Sequence, residues 1–274
     1  MRAALVLGSS GFIGRHVVQR LADDGWWVDQ LDKPAFDLTE PIEIPWPEWA
    51  WDVVFLLAAK VGVAAVEAAP HETLRTNVLI VQRVLDWLPN RGETLVFASS
   101  SEVYAEAVAM GLSPVPTPES TSLVADPVST RGAYALSKIV GEGLVRHGHS
   151  RWVIVRYHNV YGPGQGRGWV IPDLFLGSEP VKSPQHTRAF CYVSDAVEGT
   201  LLAAKHPGQV FNVGTDVETP IGELALKIRQ HAVFIPGPSN DPPRRCPDIS
   251  KLRALGYVPK VGLDEGLALT LASL

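Results

Sequence analysis

The stretch that decides the fold is Ala3-Ala-Leu-Val-Leu7, which runs directly into Gly8-Ser-Ser-Gly11-Phe-Ile-Gly14. Five apolar residues closed by a glycine read as a buried strand, and the residues from about Ile13 to Asp24 carry helical spacing of apolar positions. A glycine-rich turn between a strand and a helix lets backbone approach a pyrophosphate, while the helix start offers unpaired N–H donors and a positive dipole end. Gly8, Gly11 and Gly14, with Phe12 and Ile13 between them, are therefore the candidate dinucleotide turn. A tight turn without a ligand has the same appearance, so a second signal is needed. Asp32 supplies it, at the end of the next apolar run, Trp27–Leu31. An acidic side chain about 20 residues on accepts hydrogen bonds from ribose hydroxyls and repels a 2′-phosphate. The expected cofactor is NAD rather than NADP, with the adjacent Lys33 as an opposing charge.

Outward from this turn the chain alternates short apolar runs with amphipathic stretches. The runs are Ala3–Leu7, Trp27–Leu31, Val53–Leu57, Thr94–Ala98 and Trp152–Tyr157, and the helices lie near Ile13–Asp24, His71–Leu88 and Ala133–His147. That order predicts an α/β fold, a doubly wound parallel sheet with helices on both faces. From Lys33 to Asp52, prolines and tryptophans crowd the chain and argue for an irregular crossover in place of a helix. After Tyr157 the pattern loosens into Gly162-Pro-Gly-Gln-Gly-Arg-Gly168 and proline-rich pieces around Pro180–Pro184 and Pro236–Pro243, the kind of loop that carries substrate contacts. Leu263–Leu274 reads as a short terminal helix.

With 274 residues, 46% of them hydrophobic and 19% charged, the composition is that of a compact globular protein. The formal net charge of -5, with no basic run interleaved with aromatics, gives nucleic-acid binding no support. Cys191 and Cys246 are the only cysteines; they show neither metal-ligand spacing nor a disulfide framework, so no metal and a reducing compartment are expected. The longest apolar stretch, Val53 to Val66, is interrupted by Lys60 and is too short to span a bilayer. Met1–Leu7 leads into the glycine turn without a small-residue cleavage site, and a cytoplasmic location is expected.

Chemistry is suggested by Gly132-Ala-Tyr-Ala-Leu-Ser-Lys138 after the serine cluster Ser99-Ser100-Ser101. Tyr134 and Lys138, four apart, share one helix face, so the ammonium can favour the ionised phenol. Tyr134 is then a usable base. The spacing alone arises by chance in many helices; its combination and order with the glycine turn make it informative.

Several ordered segments together resemble the extended short-chain dehydrogenases, and within them the NAD-dependent epimerase/dehydratase family acting on nucleotide sugars. They are the turn Gly8–Gly14, spaced Gly-x-x-Gly-x-x-Gly, Leu57-Ala-Ala59, Thr76-Asn-Val78, Ser99-Ser-Ser-Glu-Val-Tyr104, Tyr134–Lys138, Arg156–Pro163, Thr187–Asp195 and Phe211–Gly214. Ala105 departs from the usual glycine. The resemblance implies a Rossmann-type NAD domain over about residues 1–165 and a smaller C-terminal substrate-binding domain over 166–274, with a segment near 188–215 returning to the first. It implies Ser100 as the catalytic hydroxyl, Tyr134 as the base, and Lys138 as the residue that lowers the tyrosine pKa and holds the nicotinamide ribose. Asp37, Leu38, Leu57, Ala58 and Ala59 would border the cofactor, and Ser100, Ser101, Asn159, Arg188 and Arg245 the substrate. A homodimer through Thr73–Leu88 and Ala133–His147 is also implied.

The leading expectation is a nucleotide-sugar epimerase acting at C4 through a 4-keto sugar. Glu102 and Arg245 keep open a second, since Ser101-Glu102-Val-Tyr104 also resembles UDP-glucuronate decarboxylases. Oxidation at C4 of a uronic sugar makes a β-keto acid, and an arginine can hold its carboxylate. Dehydration ranks third, because Ser101 stands where those enzymes carry an aspartate. A non-catalytic NAD-binding sensor ranks last, because Tyr134 and Lys138 are both present.

Overall fold

The computed structural model describes residues 2–43, 51–130, 132–177, 179–237 and 241–273. The runs read from the sequence form six parallel strands: β1 Ala3–Leu7, β2 Trp27–Leu31, β3 Val53–Leu56, β4 Thr94–Ser100, β5 Trp152–Tyr157 and β6 Gln209–Val213. Their order across the sheet is β6-β5-β4-β3-β1-β2. The chain leaves β1 in opposite directions, toward β2 on one side and β3 on the other. A crevice opens where strand order reverses, beyond the carboxyl ends of the strands.

Four helices cover the sheet: α1 Phe12–Asp23, α2 Pro70–Trp87, α3 Gly132–Gly148 and α4 Val193–Ala203. Side chains alternate across the strands, and both faces are apolar. Val6, Phe55, Val96 and Val155 join Val17, Leu21 and Val197 on the face of α1 and α4, whereas Leu5, Leu7, Val54 and Phe97 join Val81, Val84 and Val145 on the face of α2 and α3. Unbroken apolar strands are what a sheet buried on both sides requires.

Residues 33–43 contain no helix, as the proline-rich reading predicts, and turn instead about Asp37, whose Oδ1 accepts from the Thr39 amide at 2.9 Å and the Thr39 hydroxyl at 2.8 Å. The rest of that crossover, 44–50, lies outside the described residues, as do 238–240 of the later proline-rich stretch and residue 274 of the terminal segment. Trp51 then returns the chain to the sheet, buried, with its indole N–H on Asp29 at 2.7 Å.

A third apolar cluster gathers Tyr161, Ile171, Leu174, Phe190, Leu224 and Leu267 from short elements late in the chain. Those elements include the helices Val170–Leu176, Ile221–Ile228 and Leu263–Leu271 and the strands Thr187–Ala189, Glu218–Pro220 and Arg244–Arg245. Between them, α4 and β6 run back into the main sheet.

A buried ion pair ties α3 to the sheet. Arg156 on β5 donates Nε–H to Glu142 Oε1 at 2.8 Å and Nη2–H to Oε2 at 2.6 Å, and Ser99 on β4 donates to Glu142 Oε1 at 2.6 Å. Both side chains are 3% exposed, so loss of one partner strands a charge away from water. Glu142→Leu is expected to lower unfolding stability by about 3–5 kcal/mol in urea titrations. The double change Glu142→Leu with Arg156→Met should cost less than that single change.

Candidate active site

A cavity of about 940 Å³ opens beyond the carboxyl ends of β1, β3, β4 and β5. At one end lies the glycine turn, and two of its glycines answer to the protein's own packing. Gly8 has φ +91°, and a Cβ there would come within 2.5 Å of the Ala58 amide nitrogen; a Cβ on Gly14 would overlap the Gly8 carbonyl. The turn therefore closes down on the segment after β3 and leaves Gly11, the N-cap of α1, on the cavity wall.

Asp32 stands at the end of β2 with Oδ2 accepting from the Ser10 amide at 2.9 Å and hydroxyl at 2.6 Å, and Oδ1 accepting from the Lys33 amide at 2.8 Å. Lys33 Nζ pairs with Asp37 at 2.9 Å. Its charge is thus engaged by a carboxylate, and the opposing signal from Lys33 is weakened. The Thr39 amide first, then Lys33 and the Thr39 hydroxyl, hold the Asp37 carboxyl down at about 2. Gly8, Gly11, Phe12, Ile13, Gly14, Asp32, Asp37, Leu38, Leu57, Ala58 and Ala59 all border the cavity.

At the other end the wall carries Ser100, Ser101, Glu102, Tyr134, Lys138 and Asn159. Ser100 ends β4 and caps the short turn Ser101–Tyr104, accepting from the Glu102 amide at 3.2 Å. Burial pushes the Tyr134 phenol above its ordinary value; its hydrogen bond with the Ser100 hydroxyl pulls down and the Glu102 charge pushes up. The resemblance implies a phenol lowered by Lys138. In this arrangement Lys138 Nζ donates to the Ala98 carbonyl at 2.7 Å and lies 5.8 Å from the Tyr134 ring centre, and desolvation decides the direction. Burial also brings the Lys138 ammonium down to about 8, against an upward pull from Glu142.

Asn159 adopts φ +39°, a left-handed conformation that asparagine tolerates, and donates Nδ2–H to the Ala189 carbonyl at 3.2 Å. Arg188 and Arg245 do not line the cavity. They sit side by side on neighbouring strands, and Arg245 pairs with Glu102, which does line it. Both arginines also bind Asp241, at 2.6 and 3.0 Å.

Sequence reasoning missed Ser10, which orients Asp32 from inside the glycine turn, and Asp241. It also missed Gln165, Trp169 and Phe190, cavity-lining residues from the second half, where no periodicity marks which side chains turn inward. Asn77, quoted only within a motif, acts as a structural clamp, since its amide holds the Lys60 backbone at 2.7 and 3.1 Å and the Ser137 hydroxyl at 3.1 Å.

A glycine turn against an acidic strand end, joined in one cavity to a serine, a tyrosine and a lysine, defines a Rossmann-type dehydrogenase site. The sequence profile described as NAD dependent epimerase/dehydratase family matches residues 4–214, and the chain belongs to that family. NAD is its cofactor, and the turn, Asp32 and the engaged Lys33 fit it. UDP-glucuronic acid decarboxylase 5 of Arabidopsis thaliana is 30% identical over 307 residues, covering 97% of this chain and 87% of that one. UDP-N-acetyl-alpha-D-glucosaminuronate decarboxylase of Bacillus cytotoxicus is 30% identical over 320 residues, covering 98% and 97%. The crystal structure of UDP-glucose 4-epimerase from Thermotoga maritima with UDP-glucose superposes with a TM-score of 0.81 at 27% identity, covering 99% and 98%. The chain is an NAD-dependent enzyme of nucleotide-sugar modification, and among its described residues no helix is long and apolar enough to cross a membrane.

The lowered Lys138 has a consequence for stability. Its folded-state value near 8 lies below the ordinary 10.5, so protonation favours unfolding: the penalty is complete below pH 8 and gone above 10.5. Lys138→Met is expected to stabilise the cofactor-free protein at pH 7 by up to about 3 kcal/mol, less the lost hydrogen bond to Ala98. Thermal unfolding across pH 7 to 10.5 should show the gain shrinking; a constant gain, or none at pH 7, contradicts the assignment.

Proposed function

We propose that the protein decarboxylates a nucleotide uronic acid through a 4-keto sugar. The observation that carries this reading is the ion pair between Glu102, on the cavity wall, and Arg245, 143 residues further along the chain. With a neutral sugar that pair serves structure alone, whereas a sugar carboxylate gives the guanidinium an anion to hold beside the reacting carbons. The two relatives at 30% identity support it, since both are named as uronate decarboxylases.

NAD, when bound, accepts the C4 hydride and later returns it. Tyr134 removes the proton of the C4 hydroxyl, with Ser100 hydrogen-bonded to the same oxygen and Lys138 beside the cofactor's ribose. Once C4 is a ketone, the carboxylate on C5 is β to a carbonyl. The bond from C5 to the carboxyl carbon breaks, its electron pair moves toward O4, and carbon dioxide leaves. Ser100 and Tyr134 stabilise the negative charge on O4 by hydrogen bonds. After C5 takes a proton, Tyr134 returns its own to O4.

Epimerisation at C4, the leading expectation from the sequence, stays as the second reading. The likeness to the Thermotoga maritima 4-epimerase favours it, and Ser100, Tyr134 and Lys138 suffice for its chemistry. Incubation with UDP-glucuronate and mass spectrometry decides between them: a product lighter by one carbon dioxide is expected, and a product of unchanged mass establishes epimerisation. Glu102→Gln should lower kcat about 100-fold or more if the charge takes part, and leave turnover near wild type if it does not. Tyr134→Phe should abolish either reaction with NAD still bound.

We also infer a homodimer through α2 and α3. These helices leave a shallow groove walled by Leu85, Val140, Leu144 and His147, where the apolar Val140 is exposed, and a second copy's helices would bury it. Light scattering at micromolar concentration should give twice the chain mass; a monomer mass contradicts this.

A further inference from the structure

Arg188 and Arg245 face each other in register on the parallel strands Thr187–Ala189 and Arg244–Arg245, and each residue is only 8% exposed. Two guanidiniums this close and this dry need an anion between them. Asp241 fills that place with one oxygen for each: Oδ2 accepts from Arg188 Nη2 at 2.6 Å and Oδ1 from Arg245 Nη2 at 3.0 Å. His186 Nδ1 stands 3.4 Å from Oδ2. The other face of Arg245 reaches Glu102 at the cavity wall, so the arginine pair is one side chain from the cavity without lining it. Arg245 Nε, buried, has no hydrogen-bond partner among the described residues. Asp241 is carried on Asp241-Pro-Pro-Arg244, which joins the sheet only through the Pro243 carbonyl and the strand behind it.

We propose that Asp241 is an internal stand-in for a substrate anion: its carboxylate closes the Arg188–Arg245 pair in the free protein and is exchanged for an anionic group of the nucleotide sugar on binding. This rests on the reading of the cavity as a nucleotide-sugar site. A carboxylate bridging two guanidiniums has the charge and the two-pronged geometry of the group it would make way for, either a diphosphate or a uronate carboxylate. Glu102 and Asp241 already balance the two arginines, so a further anion arriving without the departure of Asp241 would meet net repulsion. The exchange also accounts for two arginines expected at the substrate standing off the cavity wall. A tethered competitor lowers apparent affinity by the fraction of time it occupies the site.

Asp241→Asn keeps the size of the side chain and removes the charge that competes. With the full chain loaded with NAD, calorimetric titration of UDP, UDP-glucose and UDP-glucuronate should show at least one binding about tenfold more tightly to the variant. An equal gain for all three identifies the diphosphate as the incoming group; a gain for UDP-glucuronate alone identifies the carboxylate. A purely structural Asp241 predicts the opposite sign, because arginines that lose their anchor hold a ligand less well. Equal or weaker binding of all three by the variant, with wild-type binding intact, overturns the stand-in role alone, and binding by neither protein overturns the nucleotide-sugar reading with it. Should the variant fail to fold, hydrogen exchange on the wild-type protein decides: the Asp241 amide should exchange faster when UDP-glucuronate is added, and unchanged or slower exchange overturns the proposal.

Discussion

Everything near the cavity is referred to one buried contact, the two-pronged pair of Arg156 and Glu142. Charges that dry are tolerated only when every lone pair and proton is used, and here they are well used. Arg156 also donates Nη1–H to the Tyr104 hydroxyl at 2.5 Å and to the Glu119 carbonyl at 3.1 Å. Tyr104 donates on to Asn212 Oδ1 at 3.0 Å, and Asn212 spends its amide protons on the Thr117 and Asp248 carbonyls. One chain of hydrogen bonds thus joins α3, β4, β5, β6 and two late loops. Lys138 lies one helical turn before Glu142 and Ser100 directly follows Ser99, so the reacting groups inherit their positions from this network.

The same region shows opposite demands on stability and chemistry. Lys138 is buried against its preference, and Tyr134 is desolvated so that its neutral form is favoured. Neither arrangement helps the chain fold. Each places a proton-carrying group where water is scarce and where a hydrogen bond from Ser100 has more effect than it would in solvent. The Arg156 network offsets the strain a few ångströms away, which is why a costly site can persist in a well-filled core.

The first half of the fold was legible because each buried element announces itself locally. Strands β1 to β5 are unbroken apolar runs, the helices carry a 3.6-residue spacing, and the glycine turn and Asp32 lie at fixed distances from one another. The cofactor end could be read for that reason. β6 was not recognised as a strand, since Gln209–Val213 begins exposed and is entered from a segment without periodicity. Asp241 stayed hidden for another reason: an acidic residue beside prolines looks like any surface turn until two arginines, one 53 positions back, are folded onto it. The direction of the Tyr134 shift was misjudged because helical spacing shows which residues are neighbours but not how dry they are, nor that the ammonium has a carbonyl to bind.

The separation between Glu102 and Arg245 has a consequence for how such a chain can change. Glu102 belongs to the turn after β4, close to the cofactor machinery, while Arg245 arrives from a small sheet completed only after β6 is in place. The cofactor half can therefore assemble, and be kept by selection, independently of the segment that selects what happens to the oxidised sugar. Drift in the last hundred residues would retune the reaction while leaving hydride transfer untouched, and a substitution at either end of the pair changes the value of the residue at the other. The two positions are expected to vary together across descendants of this chain, as a single inherited character written in two distant places.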